Sequence, residues 1–276
     1  MMKLLDGKRG IIFGALDANS IAWKTALACH DHGACFVLTN APVALRMGTI
    51  QELAQQTNAR VIGADATNLD DLKHLIQEAQ TILGGKIDFI LHSIGMSPNV
   101  RKGKPYTDLN YSWNNQTLDI SALSLHKVLQ TCWELDALAE GASVVSLSYI
   151  AAQKAFPGYG DMADAKALLE SITRSFGYYY GNRNKVRINT VSQSPTKTTA
   201  GTGIKGFDSF YGFADKVSPL GNAPAEDCAH FCVALFSDLT RFVTMQNLYH
   251  DGGFSNTGVS ETVMEILQQN NTLPKE

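Results

Sequence analysis

Gly10-Ile11-Ile12-Phe13-Gly14-Ala15-Leu16-Asp17-Ala18-Asn19-Ser20-Ile21-Ala22 passes from an apolar run through a short polar turn into a periodic apolar segment, and this passage decides the fold. A buried strand leading onto a helix N-terminus is the opening unit of a dinucleotide-binding sheet, because the first-turn amides and the helix dipole favour a pyrophosphate. Glycines usually recur in such a turn so that the backbone can approach the phosphate closely. Here only Gly14 remains of them, and the G-x-G-x-x-G fingerprint is absent. Ser20 stands just before the helix, where its hydroxyl either caps the first turn or joins the following amides in holding a phosphate.

Outward from this unit, the same alternation continues. β-rich apolar runs occur at Gly10 to Phe13, Cys35 to Thr39, Arg60 to Ala64, Ile87 to His92, Ser143 to Leu147, Val186 to Val191 and Gln246 to His250. Helical periodicity fills Ile21 to His32, Thr49 to Gln56, Leu69 to Leu83, Leu118 to Leu138, Tyr159 to Tyr180 and Ala225 to Phe236. Near-continuous apolar strands imply burial on both faces. The pattern predicts an α/β fold, a single doubly wound parallel sheet of Rossmann type flanked by helices. No repeat, low-complexity tract or linker divides it, so residues 1–276 are expected to form one dinucleotide-binding domain. Two stretches break the alternation, Ser97 to Thr107 and residues 192–219, and ligands tend to bind where such loops leave the carboxyl ends of strands. The second is expected to be a lid over cofactor and substrate, a mobile surface excursion being the plainer alternative.

The chain has 276 residues and 45% hydrophobic content, ample for a sizeable core. A net charge of -3 and a pI near 6.2 exclude nucleic acid as the main partner, since phosphate neutralisation needs a concentrated basic face. Neither a signal peptide nor a run of about 18 apolar residues is present, so a cytoplasmic protein with no membrane partner is expected. The five cysteines, Cys29, Cys35, Cys132, Cys228 and Cys232, are odd in number and follow no framework spacing, which suits reduced thiols. Cys228 and Cys232 share a helical face from which His230 points away, so packed thiols are expected there and no metal.

Past the apolar run at Ala142 to Leu147 come two phenols and an ammonium: Tyr149, Tyr159 and Lys166. If the chain is helical from Tyr159 onward, the seven positions to Lys166 return to nearly the same face about 10 Å along the axis. An ammonium close to a phenol would lower a pKa that is ordinarily about 10 and match the donor to an oxygen gaining charge. Chance pairing on an amphipathic helix is the alternative.

Together these features resemble the short-chain dehydrogenase/reductase superfamily, and within it the enoyl-acyl carrier protein reductases of bacterial type II fatty acid synthesis. The resemblance is carried by Gly14-(five residues)-Ser20-Ile21-Ala22, His92-Ser93-Ile94-Gly95, Asp119-Ile120-Ser121, Ser148-Tyr149 and Tyr159-(six residues)-Lys166-Ala167. Val186-Arg187-Ile188-Asn189, Ser194-Pro195-Thr196-Lys197-Thr198 and Asp251-Gly252-Gly253-Phe254 complete it. It implies that Gly14, Ser20 and Ile21 lie at the cofactor pyrophosphate, Asp65 and Ala66 at the adenine, and Ile94 and Gly95 beside the cofactor. Lys166 would hold the nicotinamide ribose, and Thr196, Lys197, Thr198, Thr199 and Ala200 would close over it. Ser97, Met162 and Phe207 match substrate-contact positions. Tyr159 would hydrogen-bond the enolate formed by hydride addition to C3 of a trans-2-enoyl thioester, with Tyr149 in support.

Ser146 stands thirteen positions before Tyr159, where carbonyl-reducing relatives carry a catalytic serine, so a Ser146-Tyr159-Lys166 alcohol or ketone oxidoreductase is one alternative. A non-catalytic dinucleotide-binding regulator is another, although its mark would be an eroded Tyr/Lys pair. Asn40 to Arg46 offers neither an acidic residue nor a basic cluster for the cofactor ribose, and family members of that kind prefer NADH, the expected cofactor. The expected partner is acyl carrier protein, an acidic one, with Lys197 and Lys205 as candidate cations or simply solubilising charges. A homotetramer is implied by the resemblance; the helix from Ala163 to Tyr180 fits a subunit face or plain packing on the sheet.

Overall fold

The computed structural model describes residues 3–203 and 206–269. Its strands are β1 (Arg9–Phe13), β2 (Cys35–Asn40), β3 (Arg60–Gly63), β4 (Ile87–His92), β5 (Leu138–Ser148), β6 (Arg187–Gln193) and β7 (Asn247–His250). They pair in parallel as one sheet, in the order β3-β2-β1-β4-β5-β6-β7.

Side chains alternate across a strand, so each strand feeds two cores. Ile11, Phe13, Val37, Ile90, Val144 and Ile188 join one apolar cluster beneath helices Leu69–Leu83, Ser124–Glu134 and Met162–Asn184. Ile12, Leu38, Phe89, Leu91, Val145 and Val191 join the other, beneath helices Ile21–Asp31 and Ala225–Phe236. Burial on both faces is what the continuous apolar runs require, and the doubly wound sheet is the one they predict. The strand order reverses between β1 and β4, and the crevice at the carboxyl ends of these two strands is where such a sheet takes its ligand.

Three expectations are corrected. The helix expected over Leu118 to Leu138 begins earlier, at Tyr111, because Asn110 caps it by accepting from the Trp113 amide at 3.1 Å. It then widens into a π turn at Asp119–Leu123, resumes as Ser124–Glu134, and yields to β5 at Leu138. The helix expected from Tyr159 starts at Met162 and runs to Asn184, since Gly158 and Gly160 on either side of Tyr159 have φ of +83° and +51°. The stretch 192–219 is not irregular throughout. It contains the helices Thr199–Thr202 and Phe207–Val217, the second starting after a left-handed Gly206. Pro42–Met47, Pro98–Arg101 and Glu261–Gln269 are further helices that the periodicity did not mark.

The far end of the sheet is closed by one buried cation. Arg187 of β6, 3% exposed, donates to the carbonyls of Leu235, Ser237 and Thr240 at 2.8, 3.2 and 3.1 Å and to the Thr240 hydroxyl at 2.8 Å. It thereby satisfies carbonyls at the C-terminus of helix Ala225–Phe236, where a cation also opposes the helix dipole. Arg187→Met should lower the unfolding free energy by about 3 kcal/mol, because the carbonyls lose a charged donor while staying buried. Urea denaturation measures this, with an unchanged m-value expected.

Candidate active site

The first turn is shaped by steric necessity. Gly14 has φ +93°, and a Cβ there would lie 1.9 Å from the Ser93 carbonyl oxygen, so the chain leaving β1 passes directly against the chain leaving β4. Ser20 performs the capping role: its hydroxyl accepts from the Trp23 and Leu16 amides at 3.3 and 3.4 Å and donates to the Asp17 carbonyl at 2.8 Å. The hydroxyl is thus used in folding the turn, and what this turn offers an anion is the backbone of the first helical residues, Ile21 among them.

Asp65 and Ala66 follow β3. The Asp65 carboxylate accepts from the Thr67 amide and hydroxyl at 2.9 and 2.7 Å, holding its own turn, while Ala66 is part of the core. Ile94 and Gly95 follow β4. A Cβ on Gly95 would lie 2.9 Å from Met162 Cε and 3.7 Å from Lys166 Nζ, so Gly95, Met162 and Lys166 meet in one place.

Lys166 is buried and donates to the Leu147 carbonyl at 2.7 Å. Burial lowers its pKa to about 8, with Glu170 opposing the shift. Tyr159 is partly buried, and burial pushes its phenol above the ordinary value. The expectation that Lys166 lowers the tyrosine pKa is therefore corrected. Tyr159 lies before the helix rather than a turn below Lys166, and desolvation outweighs any attraction from the ammonium. It is a neutral phenol at physiological pH and can donate a hydrogen bond in that form.

Tyr149 packs on Tyr159 with ring centroids 5.0 Å apart. Burial first, then Tyr159 and Asp251, push its phenol up as well, and its buried hydroxyl has no hydrogen-bond partner among the described residues. Phe156 and Phe210 complete an aromatic wall at 5.4 and 6.2 Å from Tyr149. Phe254 closes on Phe210 at 6.4 Å, carried there by a turn in which the Asp251 carboxylate accepts from the Gly253 and Ser255 amides. Phe207, expected to contact substrate, is buried and packs on Tyr211 at 5.8 Å; the ring of the same helix that reaches Tyr149 is Phe210, three positions on.

Ser97 is brought to the site but its hydroxyl is engaged, donating to Asp161 at 2.6 Å and accepting from the Val100 amide at 3.0 Å. Ser146 is fully buried in β5, and its hydroxyl has no partner among the described residues. In the lid, Thr196 donates to the Ser194 carbonyl at 3.0 Å and Thr198 accepts from the Gly201 amide at 3.0 Å. Thr199 donates to Asp17 Oδ2 at 2.5 Å, tying the lid to the first turn across the crevice. The Lys197 ammonium rests over the Tyr211 ring, 4.5 Å from its centroid. Ala200 falls within helix Thr199–Thr202, and Lys205 lies outside the described residues.

Several site residues escaped the sequence reading. Asp161, wholly buried, accepts from Ser97, from Asn99 Nδ2 at 2.7 Å and from Thr117 at 3.0 Å. His92, lowered to about 3 by burial and then Lys166, is neutral and lies 2.8 Å from the Ser124 hydroxyl. Ser124 gives its proton to the Ile120 carbonyl at 2.7 Å, so His92 Nε2 is the donor. Only position marked Asp161, two residues after Tyr159; Phe156 and Phe210 carried no pattern that sets them apart from core rings.

A family model described as Enoyl-(Acyl carrier protein) reductase matches residues 14–255. The enoyl-[acyl-carrier-protein] reductase [NADH] FabI of Rickettsia bellii is 34% identical over 265 residues, covering 94% of this chain and 98% of that protein. The crystal structure of the FabI–NADH complex from Alistipes finegoldii superposes with a TM-score of 0.94 at 59% identity, over 95% of this chain and 93% of that one. The enoyl-[acyl-carrier-protein] reductase (NADH) structure from Aquifex aeolicus gives a TM-score of 0.86 at 32% identity, over 93% of this chain and 99% of that one.

The two glycines at the crevice should respond differently to a methyl group. Gly14→Ala should cost about 2 to 5 kcal/mol of stability, because rigid backbone opposes the new atom and φ is unfavourable. Gly95→Ala should cost about 1 kcal/mol or less, since only the flexible end of Met162 must give way. Comparing the urea midpoints of both variants with wild type checks the order.

Proposed function

The chain belongs to the enoyl-(acyl carrier protein) reductase family, and from that premise we propose that it reduces the C2=C3 double bond of trans-2-enoyl-acyl carrier protein with NADH during fatty acid elongation. The observation that carries this reading is the pair of packed phenols, Tyr149 and Tyr159, their rings tilted against each other, beside a buried lysine at the carboxyl end of β5. Two features fit a dinucleotide in the crevice. Gly95 leaves space next to Lys166 that a side chain would fill, and the first helix presents its amides beyond Gly14. One chain segment, Arg9 to His250, threads a single sheet, which supports residues 1–276 as one unit.

Bound NADH supplies the hydride that adds to C3. Negative charge would then move through the conjugated system to the thioester oxygen, which needs a donor until C2 takes a proton, drawn overall from the medium, and the saturated thioester forms. Tyr159 supplies it: burial keeps the phenol protonated, so the hydrogen bond strengthens as the oxygen gains charge. The unpartnered Tyr149 hydroxyl is a second donor at the same wall. Lys166, fixed on the Leu147 carbonyl, keeps two further N–H groups for the ribose hydroxyls. The rings of Phe156 and Phe210 exclude water and give the acyl chain an apolar surface. Carbonyl reduction finds less support, because Ser146 is sealed in its strand and makes no hydrogen bond to Tyr159.

Acyl carrier protein is the proposed carrier of the substrate. Lys197 would have to leave the Tyr211 ring to meet it. A cytoplasmic location accords with the described residues, in which no helix is long and apolar enough to cross a membrane. For assembly we read a homotetramer. Helix Met162–Asn184 divides its aromatic residues: Tyr180 is internal, its hydroxyl on the Leu129 carbonyl at 2.8 Å, while Tyr178 and Tyr179 are 60% and 62% exposed. Beside Tyr179 a groove of about 410 Å³ is lined by Trp133, Ile172 and Phe176, a surface suited to a second copy.

Purified protein should oxidise NADH with a crotonyl thioester, and Tyr159→Phe should lower kcat about a hundredfold, the usual effect of losing one oxyanion donor. Ketone reduction without enoyl reduction overturns the reading, as does an undiminished phenylalanine variant. The kcat/KM for NADH should exceed that for NADPH, a tenfold preference for NADPH being the contrary result. Light scattering behind a sizing column should give four times the monomer mass of 30.0 kDa.

A further inference from the structure

Helix Met162–Asn184 is fastened to the end of β5 by two side chains one turn apart. Lys166 donates to the Leu147 carbonyl at 2.7 Å. Glu170, four positions on and on the same face, accepts from the Ser148 hydroxyl at 2.6 Å and from Gln153 Nε2 at 3.0 Å. Gln153 in turn accepts from the Tyr249 hydroxyl of β7. Glu170 is 4% exposed and Lys166 7%. A carboxylate and an ammonium, each costly to bury alone, are thus buried in one place, held on adjacent residues of a strand end rather than in direct contact.

This arrangement has a physical reason. A direct ion pair would occupy the lysine N–H groups, whereas a carboxylate held one turn away on Ser148 and Gln153 lends its charge and leaves those donors free. We propose that Glu170 is a positioning residue whose buried carboxylate keeps Lys166 charged on the Leu147 carbonyl, so that its remaining N–H groups stay available to the cofactor ribose. The proposal rests on the reading of Lys166 as the ribose-holding residue of an NADH-dependent reductase.

The other titratable groups around the pair do not replace that charge. From β4, neutral His92 faces Lys166; beyond β5 stand the neutral phenols Tyr149 and Tyr159. From β7 and the turn after it come Tyr249, raised first by its own burial and then by Glu170, and Asp251. The sign of the effect follows. Burial has already brought Lys166 down to about 8 with the Glu170 charge opposing, so removing that charge lowers it further. Affinity for NADH should then fall at lower pH than in wild type.

The test is NADH binding followed by fluorescence titration as a function of pH, which does not depend on turnover. Wild type should lose affinity as pH rises through about 8. Glu170→Gln, nearly isosteric, should lose it about one pH unit lower. Ser148→Ala removes a hydrogen bond but not the charge, and should keep the wild-type limb. A Glu170→Gln limb that coincides with wild type overturns the proposal and leaves Glu170 as an anchor of the strand end. If circular dichroism shows Glu170→Gln unfolded, Glu170→Met, which also removes the charge but leaves no polar group to satisfy, decides: a limb about one unit below wild type is expected, and a coincident limb overturns the proposal. Failure of wild type to reduce a crotonyl thioester would instead sink the reductase reading, and the two failures are separately visible.

Discussion

The carboxylate of Asp161 holds three otherwise independent pieces of chain together. Ser97 and Asn99 come from the loop after β4, Thr117 from helix Tyr111–Leu118, and Asp161 itself leads from the Tyr159 turn into helix Met162–Asn184. A wholly buried carboxylate is costly unless its oxygens accept hydrogen bonds, and here three side-chain donors supply them. The position of Tyr159 relative to the loop carrying Ile94 and Gly95 is thereby fixed by hydrogen bonds rather than by the packing of rings alone. Catalytic geometry of this kind depends on such support, because a misplacement of about 1 Å costs much of the rate.

Desolvation dominates the electrostatics of the site. It raises both phenols, lowers Lys166 and keeps His92 neutral, four shifts with one leading cause. The outcome is a site of neutral donors around one ammonium, suited to an anion that exists only during the reaction. An acid that had to release its proton in the resting site would be poorly served by this environment; a donor that must hold it is well served.

Much of this was legible in the chain. Strands announce themselves because burial on both faces demands unbroken apolar runs, and Gly14, Tyr149, Tyr159 and Lys166 are among the residues that carried the resemblance. What was not legible is how hydroxyls and rings are used. Ser20 and Ser97 have the right residue type at the right place, yet both hydroxyls are taken by the backbone or by Asp161, since a capping serine and a ligand-binding serine look alike in sequence. Tyr159 and Lys166 invite a shared helix, and only the left-handed glycines beside the tyrosine exclude it. Phe207 and Phe210 differ by one helical turn, and which of them meets Tyr149 depends on how the lid is seated, a long-range packing outcome that local periodicity does not encode.

The bond from Thr199 to Asp17 gives that lid a particular character. It joins two segments 182 positions apart through a single hydroxyl and one exposed carboxylate. The segment is thus held in two ways, by one exposed polar contact at the rim and by the rings of Phe210, Tyr149 and Phe156 below it. The two attachments are chemically independent, so either end of the rim contact can change its side chain while the rings below keep their partners.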